Sequence, residues 1–364
     1  MSTETSLRGI ARDLAQVFDE LPAVLALGEP THGIAAFPLL RNELLGHLVD
    51  YGYRSIAMET DFFAASIVDD YVNGAVGDLD TVLAKGFSHG FGSVPGNREL
   101  VEWLRQHNTD RAPRDRVRFY GFDAPTEYAA APSPRRALFS AIELLPAALR
   151  PSTDDLDALL GDEADWTNPA AMYDPSASIG DSDRARALRT IADEVADALR
   201  PVTPAAARTA QGLLRYHAAM AGDTPDRMAN LINVRGEMMA DNLLAIVADE
   251  RERGPSLVFA HNMHLNRRGR TGALVSQALG EDYFVVVTDA NPRSTPGTLQ
   301  GMLAEATTRR ALFPTPALRA ALPEPLSAGE PMVRGHIPLD PAELDGTDAV
   351  IFVADTDGKQ YRYW

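Results

Sequence analysis

The chain has 364 residues, 45% of them hydrophobic, which is enough to bury a sizeable core in one large domain or two smaller ones. Its 34 basic and 51 acidic residues leave a formal charge of −17, a surface that repels phosphate backbones and anionic lipid heads. It has no cysteine, so disulfides, thiolate nucleophiles and Cys-ligated zinc are excluded.

Residues 10–21 have helical spacing, with Ile10, Leu14, Val17, Phe18 and Leu21 apolar. The start of the chain lacks the basic segment and unbroken apolar run of a signal peptide. No stretch approaches the roughly 20 apolar residues that cross a bilayer, so a cytoplasmic location is expected.

Residues 23–27 are an apolar run ending at Gly28 and read as a buried strand. A helix is expected over 37–49, a strand over 54–59 and a helix over 62–72. This β-α-β-α order implies parallel strands with crossover helices. A helix over 100–108, a strand over 117–122, a long helix over 228–253, a strand over 256–260, a helix over 271–279 and a strand over 283–289 continue it. Residues 349–354 and 359–364 read as a closing antiparallel pair. Residues 132–221 are rich in Ala, Leu, Asp and Arg at helical spacing, with no strand signal, and residues 291–330 read as loops. The expected fold is therefore α/β: a mainly parallel central sheet flanked by helices, with an all-helical insertion. Residues 1–131 and 222–364 form the α/β core, and 132–221 form the insertion, a substrate wall.

Four of these strands end in residues capable of chemistry: Glu29, Glu59, Asp123 and His261. Ligands of parallel α/β folds sit at the carboxyl ends of the strands, so these four side chains are expected to share one cleft. Glu29 and His32 lie three apart in the strand-to-helix turn. Histidine transfers protons near neutral pH, and a carboxylate beside it fixes its tautomer. The alternative is an ordinary helix start in which Thr31 caps. Glu59 is a candidate general base, metal ligand or salt-bridge partner. Arg41 follows on the next helix, where a surface charge is the plainer reading. His261 and His264 flank Asn262 at a strand end, a spacing that suits proton transfer or metal binding. His89, in the glycine-rich stretch 86–96, is placed at the cleft wall. There is no Gly-x-Ser-x-Gly elbow, dinucleotide fingerprint or phosphate loop. Attack by water, deprotonated by a His–carboxylate pair, is the natural chemistry.

These motifs resemble those of the erythromycin esterases. The resemblance rests on Gly28-Glu29-Pro30-Thr31-His32-Gly33, Arg41, Met58-Glu59, Gly121-Phe122-Asp123, Arg235-Gly236-Glu237-Met238-Met239-Ala240-Asp241-Asn242 and Ala260-His261-Asn262-Met263-His264, between about residues 25 and 290. Pro30 stands where the family has a small residue, and Gly236 where it has Asp. The resemblance implies hydrolysis of a macrolide lactone or related ester, a small-molecule natural product. His32 would be the base, with Glu29, Glu59 and His261 completing the acid/base set. Arg41, His264, Asp123, Asn262 and His89 would contact substrate. No cofactor, nucleic-acid partner or membrane is implied. Three other readings stand beside it: a biosynthetic enzyme using the same cleft for cyclisation, elimination or group transfer; a divalent metal held by Glu29, His32, Glu59 and His261; and a sequestering protein with a vestigial site.

Overall fold

The computed structural model describes residues 13–14, 21–126, 131–201, 204–291 and 293–363. The helix expected over 10–21 lies almost wholly outside them. Contacts divide the chain into two compact units, one of residues 1–122 with 246–364, the other of residues 123–245.

The first unit is built on a seven-stranded sheet of order β3-β2-β4-β1-β5-β7-β6. Its strands are β1 (Val24–Glu29), β2 (Ser55–Asp61), β3 (Arg118–Asp123), β4 (Ser256–His261), β5 (Tyr283–Asp289), β6 (Arg310–Pro314) and β7 (Ala349–Val353). Every residue of β1, β4 and β7 is buried, the signature of strands covered on both faces. Parallel pairing of β1 with β4 sets Glu29 directly opposite His261, and β1 pairs parallel with β5 on its other side. β2 pairs parallel with β4, with Met58 opposite Phe259. Two strands that lie far apart in sequence thus end side by side, carrying Glu29 and His261. The helices Ala36–Leu48, Ala65–Val72 and Asn97–Asn108 supply Leu40, Leu44, Val68, Leu100 and Leu104 to the core that includes Leu25, Ile56 and Phe259.

The edge of the sheet differs from the expectation. The antiparallel partner of β7 is β6, with Leu312 opposite Ile351, and not residues 359–364. β6 comes from the stretch read as loops, which also holds the helices Leu299–Glu305 and Thr315–Ala321. It is a short, half-exposed edge strand closed by Pro314, a residue that edges tolerate and central strands do not. With that edge of β7 taken, Gln360 forms an antiparallel bridge with Ile34.

The second unit has no strand beyond Asp123 among its described residues. The helices Arg135–Glu143, Thr153–Leu160, Asp183–Ala198 and Ala205–Ala221 enclose Leu138, Leu156, Trp166, Leu188 and Leu214. Ser152 and Ser182 cap two of them, accepting from the backbone N–H three residues on. The Trp166 indole donates to the Leu160 carbonyl at 2.7 Å. The sequence places the insertion at 132–221. The helical unit extends to 245 because the first half of the helix Arg227–Glu250 packs within it: Arg227 donates to the carbonyls of Met220 and Met172, and Leu231 and Met238 join its apolar contacts. No helix among the described residues is long and apolar enough to cross a membrane.

Candidate active site

β1 stops at Glu29, and the turn that follows carries His32 to the start of the helix Ala36–Leu48. Gly33 sits at φ +81°, where a Cβ would also strike the Tyr361 carbonyl oxygen at 2.5 Å, so glycine is required there. His32 Nδ1 lies 2.8 Å from Glu29 Oε1. An ionised carboxylate only accepts, so Nδ1 carries the proton and the ring's lone pair lies on Nε2. Nε2 is 3.8 Å from Glu59 Oε1.

Glu59, at the end of β2, ties the other strand ends together. Its Oε2 accepts the His261 backbone N–H at 2.7 Å, and its Oε1 lies 3.3 Å from His264 Nε2. Both carboxylates are buried, Glu29 at 6% exposure and Glu59 at 5%. Burial raises the Glu29 pKa; the hydrogen bond and charge of His32, and more weakly Arg41, oppose that rise, while Glu59 adds to it. Glu29 Oε2 is buried without a protein partner. It belongs to a residue that lines, with His32, Arg41, Glu59, Phe91 and Asn97, a cavity of about 20 Å³. That is room for one water.

Three of the residues expected at the site are placed differently from expectation. His261, expected in the acid/base set, has its ring turned to the backbone. Its Nε2 faces the Pro30 carbonyl at 3.1 Å and its Nδ1 accepts the Met263 N–H at 3.2 Å, capping the short helix Asn262–Leu265. Both ring nitrogens are committed to backbone, and burial pushes its pKa down to about 3. Asn262 spans strand ends instead of facing a ligand: it donates to the Thr288 carbonyl at 2.8 Å, and its Oδ1 accepts the Thr288 N–H at 3.3 Å.

Arg41, expected either at the surface or on substrate, is wholly buried. Its guanidinium donates to Asn42 Oδ1 (3.0 and 2.7 Å), Asn97 Oδ1 (2.9 Å), the Gly96 carbonyl (3.1 Å) and Met58 Sδ (3.6 Å), and lies over the Phe259 ring at 4.8 Å. All five N–H groups are thereby assigned, so Arg41 acts as an internal cation behind Glu29. Burial lowers its pKa to about 9, opposed by Glu29 and Glu99.

His264 stands on Glu59 as described. His89 is buried at φ +55°, an uncommon angle for a residue with a side chain, and its ring packs on Phe91 at 5.4 Å, tilted by 57°. Asp123 is fully buried in the helical unit, where Arg235 grips it through two bonds of 2.9 and 2.6 Å. The proposed metal set does not assemble: among the described residues no group of three or more His, Asp or Glu side chains is disposed to hold an ion. His261 has no ring nitrogen to offer one.

Two aromatic residues not singled out above complete the surroundings. Phe91 packs at 4.8 Å on the His32 ring, and Tyr363 meets it edge-on at 5.9 Å. Phe91 lies in the glycine-rich stretch that drew attention to His89. Tyr363 had no signal beyond being aromatic.

Three solved structures share this fold. A Bacillus cereus protein superposes with a TM-score of 0.69 at 15% identity, covering 96% of this chain and 93% of that one. A succinoglycan biosynthesis protein gives 0.66 at 14%, covering 98% of each. A mutant of the erythromycin esterase EreC, in its open conformation, gives 0.65 at 16%, covering 96% and 94%. Among curated proteins, the erythromycin esterase type II of Escherichia coli is 31% identical over 103 residues, 28% of this chain and 23% of that protein. The match therefore spans about a quarter of that relative. The family model described as erythromycin esterase matches residues 49–328, most of the chain, and the chain belongs to that family.

Proposed function

We infer that this protein hydrolyses a carboxylic ester, of the macrolide lactone type, by direct attack of water activated at His32. The observation that carries this reading is the Glu29–His32 pair, closed at 2.8 Å beside a cavity with room for one water. Glu29 holds the proton on Nδ1 and directs the Nε2 lone pair towards Glu59. Water on Nε2 loses a proton to it as its oxygen bonds the ester carbonyl carbon. The imidazolium that forms is stabilised by Glu29 through the same hydrogen bond. As the tetrahedral intermediate collapses, the carbon–alkoxide bond breaks and the proton passes from His32 to the leaving oxygen. The ring opens to a hydroxy acid, and the enzyme is restored. In this reading Glu59 orients His264, and the His264 ring supplies the hydrogen bond that stabilises the carbonyl oxygen as its charge grows. Ring opening of a macrolide removes the drug's shape, which supports a role in antibiotic resistance.

The reading is supported by family membership and by the proton-transfer geometry. It is tested by mass. The product of a macrolide or model lactone incubated with the protein gains one water. A product of unchanged mass, as in isomerisation or elimination followed by re-addition within the ring, would contradict it.

A further inference from the structure

Residues 360–363 are seated on the turn that carries His32. The Tyr361 N–H donates to the Gly33 carbonyl at 2.7 Å, and the Gln360 side chain donates to the carbonyls of His32 (3.2 Å) and Arg334 (3.0 Å). The fit is made at backbone level. Gly90 has φ +69°, and a Cβ there would lie 1.5 Å from the Tyr363 carbonyl oxygen. Two glycines in separate loops, Gly33 and Gly90, thus make room for the same short segment.

This seating fixes the Tyr363 ring. It stands perpendicular to the His32 imidazole (5.9 Å, 88°) and packs at 5.2 Å on Phe91. The same residue lines a groove of about 400 Å³ whose walls include Leu83, Ala84, Phe87 and Gly92, with the Asp80–Arg98 ion pair among its lining residues. The groove therefore adjoins the reactive imidazole with Tyr363 between them, and its apolar lining suits an alkyl chain.

We propose that Tyr363 is a specificity-determining residue: its ring is the wall that keeps the non-reacting chain of an ester out of the adjoining groove and so limits the size of ester that reaches His32. The proposal rests on the hydrolytic reading above. Tyr363 takes no part in proton transfer, and its hydroxyl is not required for a wall.

The test compares wild type, Tyr363→Ala and Tyr363→Phe on 4-nitrophenyl acetate, butyrate, hexanoate and octanoate, with His32→Ala as the measure of background. Removing the ring should raise the octanoate-to-acetate ratio of kcat/KM at least about tenfold, the lower end of the discrimination that one methylene gives in an apolar pocket. Tyr363→Phe should keep the wild-type ratio. If Tyr363→Ala lowers kcat/KM on all four esters by one factor, the residue only braces the fold and the proposal fails. If wild type and His32→Ala release nitrophenol equally, it is the hydrolytic reading that fails. The wall is then judged by calorimetric titration with octanol, which needs no turnover. Tighter binding to Tyr363→Ala than to wild type upholds it, and equal affinity overturns it.

Discussion

Replacing His32 by Ala is expected to lower kcat/KM by about 10³–10⁴-fold, the upper range for loss of a positioned general base. The loss should fall mainly on kcat, because the proton leaves water only as the new bond forms. The imidazole is small, sits in a turn and has a side-chain exposure of 14%, so the fold should persist. Unaltered circular dichroism with abolished turnover is the expected pair of observations. Glu29→Gln should follow in the same direction. The amide can donate to Nδ1, which favours the tautomer with its lone pair pointing away from the reacting water, and it removes the charge that stabilises the imidazolium. Retention of full activity in His32→Ala would remove the basis of the mechanism.

The second large effect is on stability. Asp123 has no exposed surface, and both its oxygens accept from Arg235, whose side chain is 22% exposed. Such a pair contributes little relative to a well-packed apolar substitute, but breaking it strands a charge. Asp123→Ala takes from the Arg235 guanidinium the carboxylate that accepts two of its bonds and should cost about 3 kcal/mol, the lower end of the range for removing one partner of a buried pair. Equilibrium denaturation of the full chain, followed by tryptophan fluorescence, reads the loss directly, since Trp166 is buried in that unit. A midpoint unchanged from wild type would show that the pair is not a stabilising contact. The residue expected to bind substrate on sequence grounds would then need another role.

The strands that matter most were legible because they are buried on both faces. A continuous apolar run between glycine and turn residues, such as 349–353, has few other fates, and residues 24–29 and 256–261 have little but apolar side chains until the last position. Their polar last residues marked the cleft, and Glu29, His32, Glu59 and His264 do meet there. β6 was not legible, since four half-exposed residues followed by an exposed proline carry no clear period. Tyr361 and Tyr363 alternate as a strand would, yet the sheet edge they were assigned to is occupied by β6.

What a polar residue does inside a fold depends on partners that no local pattern announces. Arg41 has the position of a surface charge on a helix, but its acceptors, Gly96 and Asn97, lie more than fifty residues on. His261 looks like a proton carrier at a strand end. Its ring faces the Pro30 carbonyl, one residue past the end of the neighbouring β1, whose register with β4 brings it into reach. In the fold His32 pairs with Glu29, while His261 and Asn262 bond to backbone and Arg41 to Asn42, Gly96 and Asn97.

The central claim, that His32 delivers water itself to the ester carbonyl, is tested most directly by a single turnover in ¹⁸O-water with enzyme in excess over a 4-nitrophenyl ester or lactone. Direct attack places one labelled oxygen in the carboxylic acid product and none in the protein. Label in Glu29 or Glu59, found by mass spectrometry of the digested enzyme, or an unlabelled acid from that first turnover, would show a carboxylate acting as nucleophile and would contradict the account.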